Sequence, residues 1–421
     1  MRCLMINQKE KVNMEKLAVN GGNPVRSESF PPQYIGANLI GKEEKALVNK
    51  VIDAKSLFRH YGANCLNMTG RFEEELSGFI GTRYALAVSS GSGALFCAMK
   101  GLNIGDGDEV ILPALGWISD YNAVAFSGAR PVFADIDGSL NMNPESFKAK
   151  ITKKTKAVIV IHYQGAASRL DEIVKIARRH KIKIIEDVAQ AIGGAYDGKK
   201  LGSLGDVAIF SFQNNKVITT GDGGAIVTDD QGTFERTVRF HDLGMLRPCF
   251  EKTLEKKRIT EPFLGSQWRM NELTGAVALA QLRKLPAIIR ATRTKSAKLR
   301  ALLKKDLPCL KFRDVKTEND IGILISIDLG SKVAVAKFKE AYQAEGLVYG
   351  ATSGCGVFNT YAAIVADMKN KDIYNGKDFE KSDEITGKMA QIAVLPVYNE
   401  NDIRDIAKGI IKVINGTPEC K

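Results

Sequence analysis

A series of short apolar runs recurs between about residues 40 and 280: "YALAVSS", "DEVILPA", "ARPVFADID", "KAVIVIHY", "KIKIIEDV", "DVAIFSF" and "GAIVTD". Stretches with helical periodicity, such as "GSGALFCAMKGL", "SDYNAVAFSG" and "RLDEIVKIARRH", separate them. Alternation of this kind predicts an α/β fold with a mostly parallel sheet. The runs are apolar almost throughout, as strands must be when helices cover both faces. A chain of 421 residues, 44% hydrophobic and 26% charged, can bury such a core.

After the long helical stretch "NELTGAVALAQLRKLPAIIRATRTKSAKLRALLKK" the pattern changes to strand, helix, strand, helix: "IGILISIDL", "KVAVAKFKEAYQAEG", "QIAVLPV", "NDIRDIAKGIIKVI". We therefore expect an N-terminal tail or arm over residues 1–30, a large domain over 31–285 and a smaller α+β domain over 286–421. The charged stretch from Arg247 to Glu261 reads as a loop.

Several classes are excluded. No apolar run approaches the roughly 20 residues that cross a bilayer. The opening "MRCLMINQKEKVNMEKLAVNGG" has too short an apolar patch for a signal peptide and reads as a frayed tail, so a cytoplasmic home is expected. The 7 cysteines form no C-x-x-C pair and lie near no histidine cluster, which argues against a metal site or a disulfide framework and for reduced thiols. The net charge of +12 is spread along helices rather than interleaved with aromatics in one patch, so no nucleic-acid partner is indicated.

Ligands of open α/β sheets collect at the carboxyl ends of the strands. At "VSSGSGAL" small residues precede a helix, and its free N–H groups with the hydroxyls of Ser90 and Ser92 can cradle a phosphate. Taken alone, this is as often a plain helix cap. "IIEDVAQAIGG" puts Asp187 at the end of a buried strand, where a carboxylate needs a cationic or N–H partner, with Gln190 three residues on. "FSFQNNKVITTGDGG" puts Lys216 after a strand, beside Ser211 and before a glycine turn. "ILPALGWISD" offers Trp117, a core or rim residue in the plain reading and a stacking platform in the functional one. A phosphate nest, a carboxylate and a lysine in that order are what pyridoxal phosphate requires: an anion cradle, a partner that keeps the pyridine nitrogen protonated, and an amine for covalent attachment and proton transfer.

The stretch "IIEDVAQAIGGAYDGKKLGSLGDVAIFSFQNNKVITTGDGGAIVT" resembles the core of the DegT/DnrJ/EryC1/StrS aminotransferases, fold type I pyridoxal-phosphate enzymes that aminate keto sugars and cyclitols. The likeness extends from "LAVNGGNPVRSESFPP" to "QIAVLPVYNENDI". It implies Lys216 as the Schiff-base lysine, Asp187 as the pyridinium partner and Gln190 beside the cofactor hydroxyl. It also implies Gly91, Ser92 and Ser211 at the phosphate and Trp117 over the ring. Where the family has G-x-N-x-R-M, this chain reads "LGSQWRM", so Gln267 stands in for an asparagine that reaches a neighbouring subunit's phosphate; a homodimer with shared sites follows. Arg269 of that motif reads equally as a substrate contact or a salt-bridged structural arginine. His162 is a substrate contact or a hydrogen-bonded histidine beneath the site, and His60 lies in a segment that lines the family's acceptor pocket.

The resemblance implies glutamate or glutamine as amino donor. "FSFQNNK" is similar to the branch acting on cyclitol ketones and to aminohydroxybenzoate synthases. "LFRHYGANCLNMTGRFEEEL" is similar to the branch that aminates C8 of an octulosonate. Nucleotide-linked keto sugars are the family's commonest acceptors. A sugar dehydratase or lyase is the alternative, although that branch replaces the lysine by histidine and Lys216 is present.

Overall fold

Seven strands form the main sheet: β1 (Tyr84–Val88), β2 (Glu109–Pro113), β3 (Arg130–Ala134), β4 (Thr155–Ile161), β5 (Lys183–Asp187), β6 (Val207–Ser211) and β7 (Gly224–Thr228). They come from a computed structural model that describes residues 15–255, 260–350 and 356–420. The spatial order is β1-β7-β6-β5-β4-β2-β3, with every pair parallel except the two that β7 makes. Strand β7 is reversed because the chain returns from β6 directly through the loop 212–223, whereas a parallel neighbour needs a crossover helix. The α/β reading with a mostly parallel sheet is therefore found.

The strands alternate their side chains between two apolar layers. Ala208 and Phe210, Val158 and Val160, and Ala225 and Val227 belong to one buried cluster. Val207 and Ile209, Ala157, Ile159 and Ile161, and Ile226 belong to the other. The second layer is closed by helices Gly91–Gly101, Ile118–Phe126 and Gln231–His241. Helices Met68–Ile80 and Glu272–Asp306 close the first. Period-two alternation with both faces buried is why each run is apolar throughout.

Helix Glu272–Asp306 runs unbroken for 35 residues through Pro286. The division expected between 285 and 286 thus falls inside a helix and not at a linker. Its later turns, at Leu299 and Leu303, share one buried cluster with Ile325, Phe338 and Ile410 of the C-terminal part. There, strands Lys311–Phe312, Leu324–Asp328 and Met389–Ala393 make an antiparallel sheet under helices Lys332–Ala344 and Glu400–Gly416.

Residues 1–14 of the expected tail lie outside the described residues. The next segment is docked: Glu345 accepts from the N–H groups of Ala18 (2.9 Å) and Val25 (3.0 Å), and Arg26 reaches Asp402 at 2.8 Å and Asp405 at 2.9 Å. Within the stretch read as a loop, Pro248–Glu251 forms one helical turn, and residues 256–259 are outside the described set. Cys65, Cys97, Cys249 and Cys420 are free thiols, but Cys309 is disulfide-bonded, which corrects the all-reduced reading. Scattered spacing carries no sign of a pairing made by tertiary approach. No described helix is long and apolar enough to cross a membrane.

Candidate active site

Four strand ends meet at one cavity. After β1, Ser90 caps helix Gly91–Gly101 by accepting from the Gly93 N–H at 3.0 Å. Ser90, Gly91 and Ser92 all line the cavity, and the Ser90 hydroxyl that caps the helix keeps its proton to donate. The Ser92 hydroxyl lies 2.7 Å from that of Ser119. A Cβ on Gly91 would sit 2.7 Å from the Cβ of Ser211, so only glycine leaves the hollow that Ser211 also lines. This is a concave nest of N–H and hydroxyl donors at a helix N-terminus, the geometry that receives a phosphate.

Asp187 ends β5 and is 5% exposed. The N–H of Ala189 donates to its Oδ1 at 2.8 Å, which turns the carboxylate into the cavity. Gln190 lines the same wall and accepts from the Gln164 N–H at 3.0 Å. Lys216 lies in the return from β6 to β7. That return is closed by Phe212 N–H to Gly223 (2.8 Å) and Thr220 N–H to Phe212 (2.9 Å), and Gly221 takes the left-handed φ of 85° that the turn requires. Lys216 also borders an adjoining small cleft lined by Ile323, Leu324, Ala393 and Leu395 of the C-terminal part. An amine between two cavities can serve a group held in one and a substrate arriving through the other.

Trp117 precedes helix Ile118–Phe126, lines the cavity and is 42% exposed. Its strand end, Leu115–Gly116, pairs with Gly356–Val357, and the Tyr361 ring stands edge-on to it at 6.2 Å. The C-terminal part therefore braces the platform. Gly91, Ser92, Trp117, Asp187, Gln190, Ser211 and Lys216 are brought together by this fold.

The remaining candidates are not. His162 is fully buried; its Nε2 lies 3.1 Å from Glu186 and its Nδ1 accepts from the Ser168 N–H at 3.2 Å, so it braces the strand end from beneath and does not line the cavity. Arg269 is ion-paired to Asp242 and lies over the Phe58 ring, which makes it structural within this chain. His60 lies 3.5 Å from the same Asp242; burial and the charge of Arg59 lower its pKa to about 4, so it is neutral at pH 7 and outside the cavity. Gln267 pairs with Asp242 through the backbone and is likewise absent from the cavity wall.

Sequence reasoning missed Asp120, which lines the cavity at 1% exposure. Burial and the neighbouring Asp187 charge hold its carboxyl well above the usual carboxylate range. The only signal was an acid three residues into a helix, which reads as a capping residue.

The nest is sensitive to its floor. A Cβ on Gly224 would meet the carbonyl oxygen of Ser90 at 2.4 Å and the Gly91 nitrogen at 2.7 Å, both backbone atoms that cannot swing away. Gly224→Ala is expected to cost about 1–3 kcal/mol of stability, the range for overpacking, and to weaken phosphate-bearing ligands about tenfold. Denaturant unfolding and equilibrium binding measure both; wild-type affinity in a folded variant would show that the nest is not the anion site.

Known proteins place this geometry. Over 237 residues, 54% of this chain and 62% of the relative, the sequence is 38% identical to the GDP-perosamine synthase of Caulobacter vibrioides. Over 224 residues it is 39% identical to that of Vibrio cholerae, covering 59% of it, so the chain spans about three fifths of these relatives' length. An uncharacterized protein of Methanocaldococcus jannaschii is 30% identical over 399 residues, 92% of this chain and 98% of that one. Among solved structures, 3-amino-5-hydroxybenzoic acid synthase superposes with a TM-score of 0.78 at 25% identity, covering 93% of this chain and all of the other. The Helicobacter pylori aminotransferase PseC shares the fold, with a TM-score of 0.76 at 23% identity, 92% of this chain and 100% of that one. With a family model matching residues 38–411 as well, the chain belongs to the DegT/DnrJ/EryC1/StrS aminotransferase family.

Proposed function

We propose that this protein is a pyridoxal-phosphate-dependent aminotransferase that moves an amino group from glutamate or glutamine to the carbonyl of a sugar. One observation carries the reading: Lys216, Asp187 and the Gly91–Ser92–Ser211 nest line a single cavity. A cradle that a Cβ would fill, a buried carboxylate and an amine match the phosphate, the pyridine nitrogen and the aldehyde of that cofactor. Pyridoxal phosphate, when bound, supplies an electron-withdrawing ring that takes up the electron pair of a broken C–H bond.

The chain's own residues do the rest. The nest would hold the phosphate, Trp117 would offer a stacking surface, Asp187 would keep the ring nitrogen protonated and Gln190 would offer a hydrogen bond to the cofactor. Lys216 would supply the amine that holds the cofactor's aldehyde and the base that moves a proton at the donor's α-carbon.

For the acceptor, relatives named for a GDP-linked amino sugar support a nucleotide-linked keto sugar over a cyclitol ketone or an octulosonate aldehyde. Lys216 supports transamination over the dehydratase alternative. The position of Gln267 off this chain's own cavity supports a homodimer in which it serves the neighbour.

The test is the absorption spectrum of the cofactor-loaded protein with glutamate and, in parallel, glutamine. The expected outcome is loss of the long-wavelength cofactor band with one donor, with the band returning when a nucleotide-linked keto sugar is added. A product released from that sugar while neither donor is consumed would replace the reading by dehydration.

A further inference from the structure

Asp120 and Asp187 line the same cavity, both buried. Asp120 Oδ2 accepts only a long contact, 3.4 Å, from the Trp117 N–H. Its Oδ1 is shielded from solvent and meets no hydrogen-bond donor among the described residues. Burial and the charge of the neighbouring Asp187 carboxyl both disfavour ionisation of Asp120. Two ionised carboxylates are both acceptors, so a hydrogen bond between them needs one shared proton.

We propose that Asp120 is a neutral carboxylic acid that donates a hydrogen bond to the Asp187 carboxylate, making it a positioning residue for the group that would hold the pyridine nitrogen. The pair then carries one proton and one negative charge. Removing the proton leaves two buried like charges side by side, which the dry setting penalises heavily. The ionisable groups facing the pair are Lys216, from the return after β6, and Asp222, across the cavity. Among the described residues lining this cavity there is no arginine or histidine to compensate a second charge. Lys216 and the Trp117 N–H act against the effect of burial and of Asp187, and the raised direction stands. A neutral acid aimed at a carboxylate holds that carboxylate's orientation without doubling the local charge. The role toward the pyridine nitrogen rests on the cofactor reading above; the shared proton does not.

The experiment compares wild type with Asp120→Asn and Asp120→Ala. A group whose folded pKa is raised stabilises the fold fully below its unfolded value, 3.8, and loses that contribution as pH rises through the folded value. In cofactor-free protein, wild-type Tm is therefore expected to fall relative to Asp120→Asn as pH rises from about 4 toward 8. Asparagine keeps a donor toward Asp187 and cannot titrate. Pyridoxal phosphate affinity should stay within about threefold in Asp120→Asn and fall about tenfold or more in Asp120→Ala, as for loss of a hydrogen bond to a charged group. If asparagine prevents folding, Asp120→Ser, a smaller donor that also lacks the titration, takes its place. A Tm difference between wild type and Asp120→Asn that does not change with pH would overturn the shared proton. Undiminished affinity in Asp120→Ala would overturn the positioning role. Wild type that takes up no pyridoxal phosphate would end the cofactor reading and leave the pH comparison to decide the pair.

Discussion

Lys216→Ala protein is expected to bind pyridoxal phosphate without forming a covalent bond to it, and to lose amino transfer by about 10⁴-fold or more, the upper range for removing a positioned acid–base group. Two functions fall on this side chain, covalent attachment and the proton shuttle, and no other lysine lines the cavity among the described residues. The nest, Asp187 and Trp117 remain, so equilibrium affinity should change far less than rate. Stability should hold within about 0.5 kcal/mol, because the side chain faces a cavity and fills no part of the core. Borohydride reduction followed by mass measurement reads the covalent bond, and single-turnover spectra with glutamate read the rate. A reducible adduct at full occupancy in this variant would move the attachment to another amine and unseat the assignment.

That Lys216 was legible in the sequence follows from where α/β sheets place their ligands. Polar residues at or shortly after the end of an apolar run mark a strand end, and Ser211 and Asp187 close such runs while Lys216 lies a few residues beyond one. The same logic predicted the strands, since residues buried on both faces leave no polar interruptions. It did not separate His162 from the site, because His162 also follows a strand. The structure shows it turned under the sheet, with both ring nitrogens engaged by Glu186 and Ser168. Arg269 and His60 converge on Asp242, a meeting across nearly two hundred residues that no local pattern encodes. Asp120 was hidden for a different reason. Its position in the first helical turn supplies a sufficient local explanation, and only the approach of β5 brings a second carboxylate to it. The long helix through residue 286 was legible from its periodicity despite a proline that ordinarily breaks a helix by removing a donor and crowding the preceding turn.

The residue before Asp187 should matter as much to folding as Lys216 does to chemistry. Glu186 is fully buried and accepts from the N–H groups of Gly202 (3.0 Å), Leu204 (2.8 Å) and Gly205 (2.6 Å), with His162 Nε2 at 3.1 Å. Burial alone would raise its pKa, but His162 and these backbone donors outweigh burial and hold it below the ordinary value of 4.5. Glu186→Ala strips the partner from several buried donors at once. A cost of about 3–5 kcal/mol is expected, the range for removing one member of a buried charged network. A lowered folded pKa contributes stability above the unfolded value and loses it as pH falls through the folded one. The deficit of the variant should therefore be constant above about pH 4.5 and shrink in more acid solution. Denaturant unfolding at pH 7 and at pH 4 measures both limbs. A deficit under about 1 kcal/mol would mean that water replaces the carboxylate and that the turn 201–205 does not depend on it. Because Asp187 is the next residue on the same strand, loosening that turn should also reduce cofactor affinity, which separates Glu186 from a core residue that only fills space.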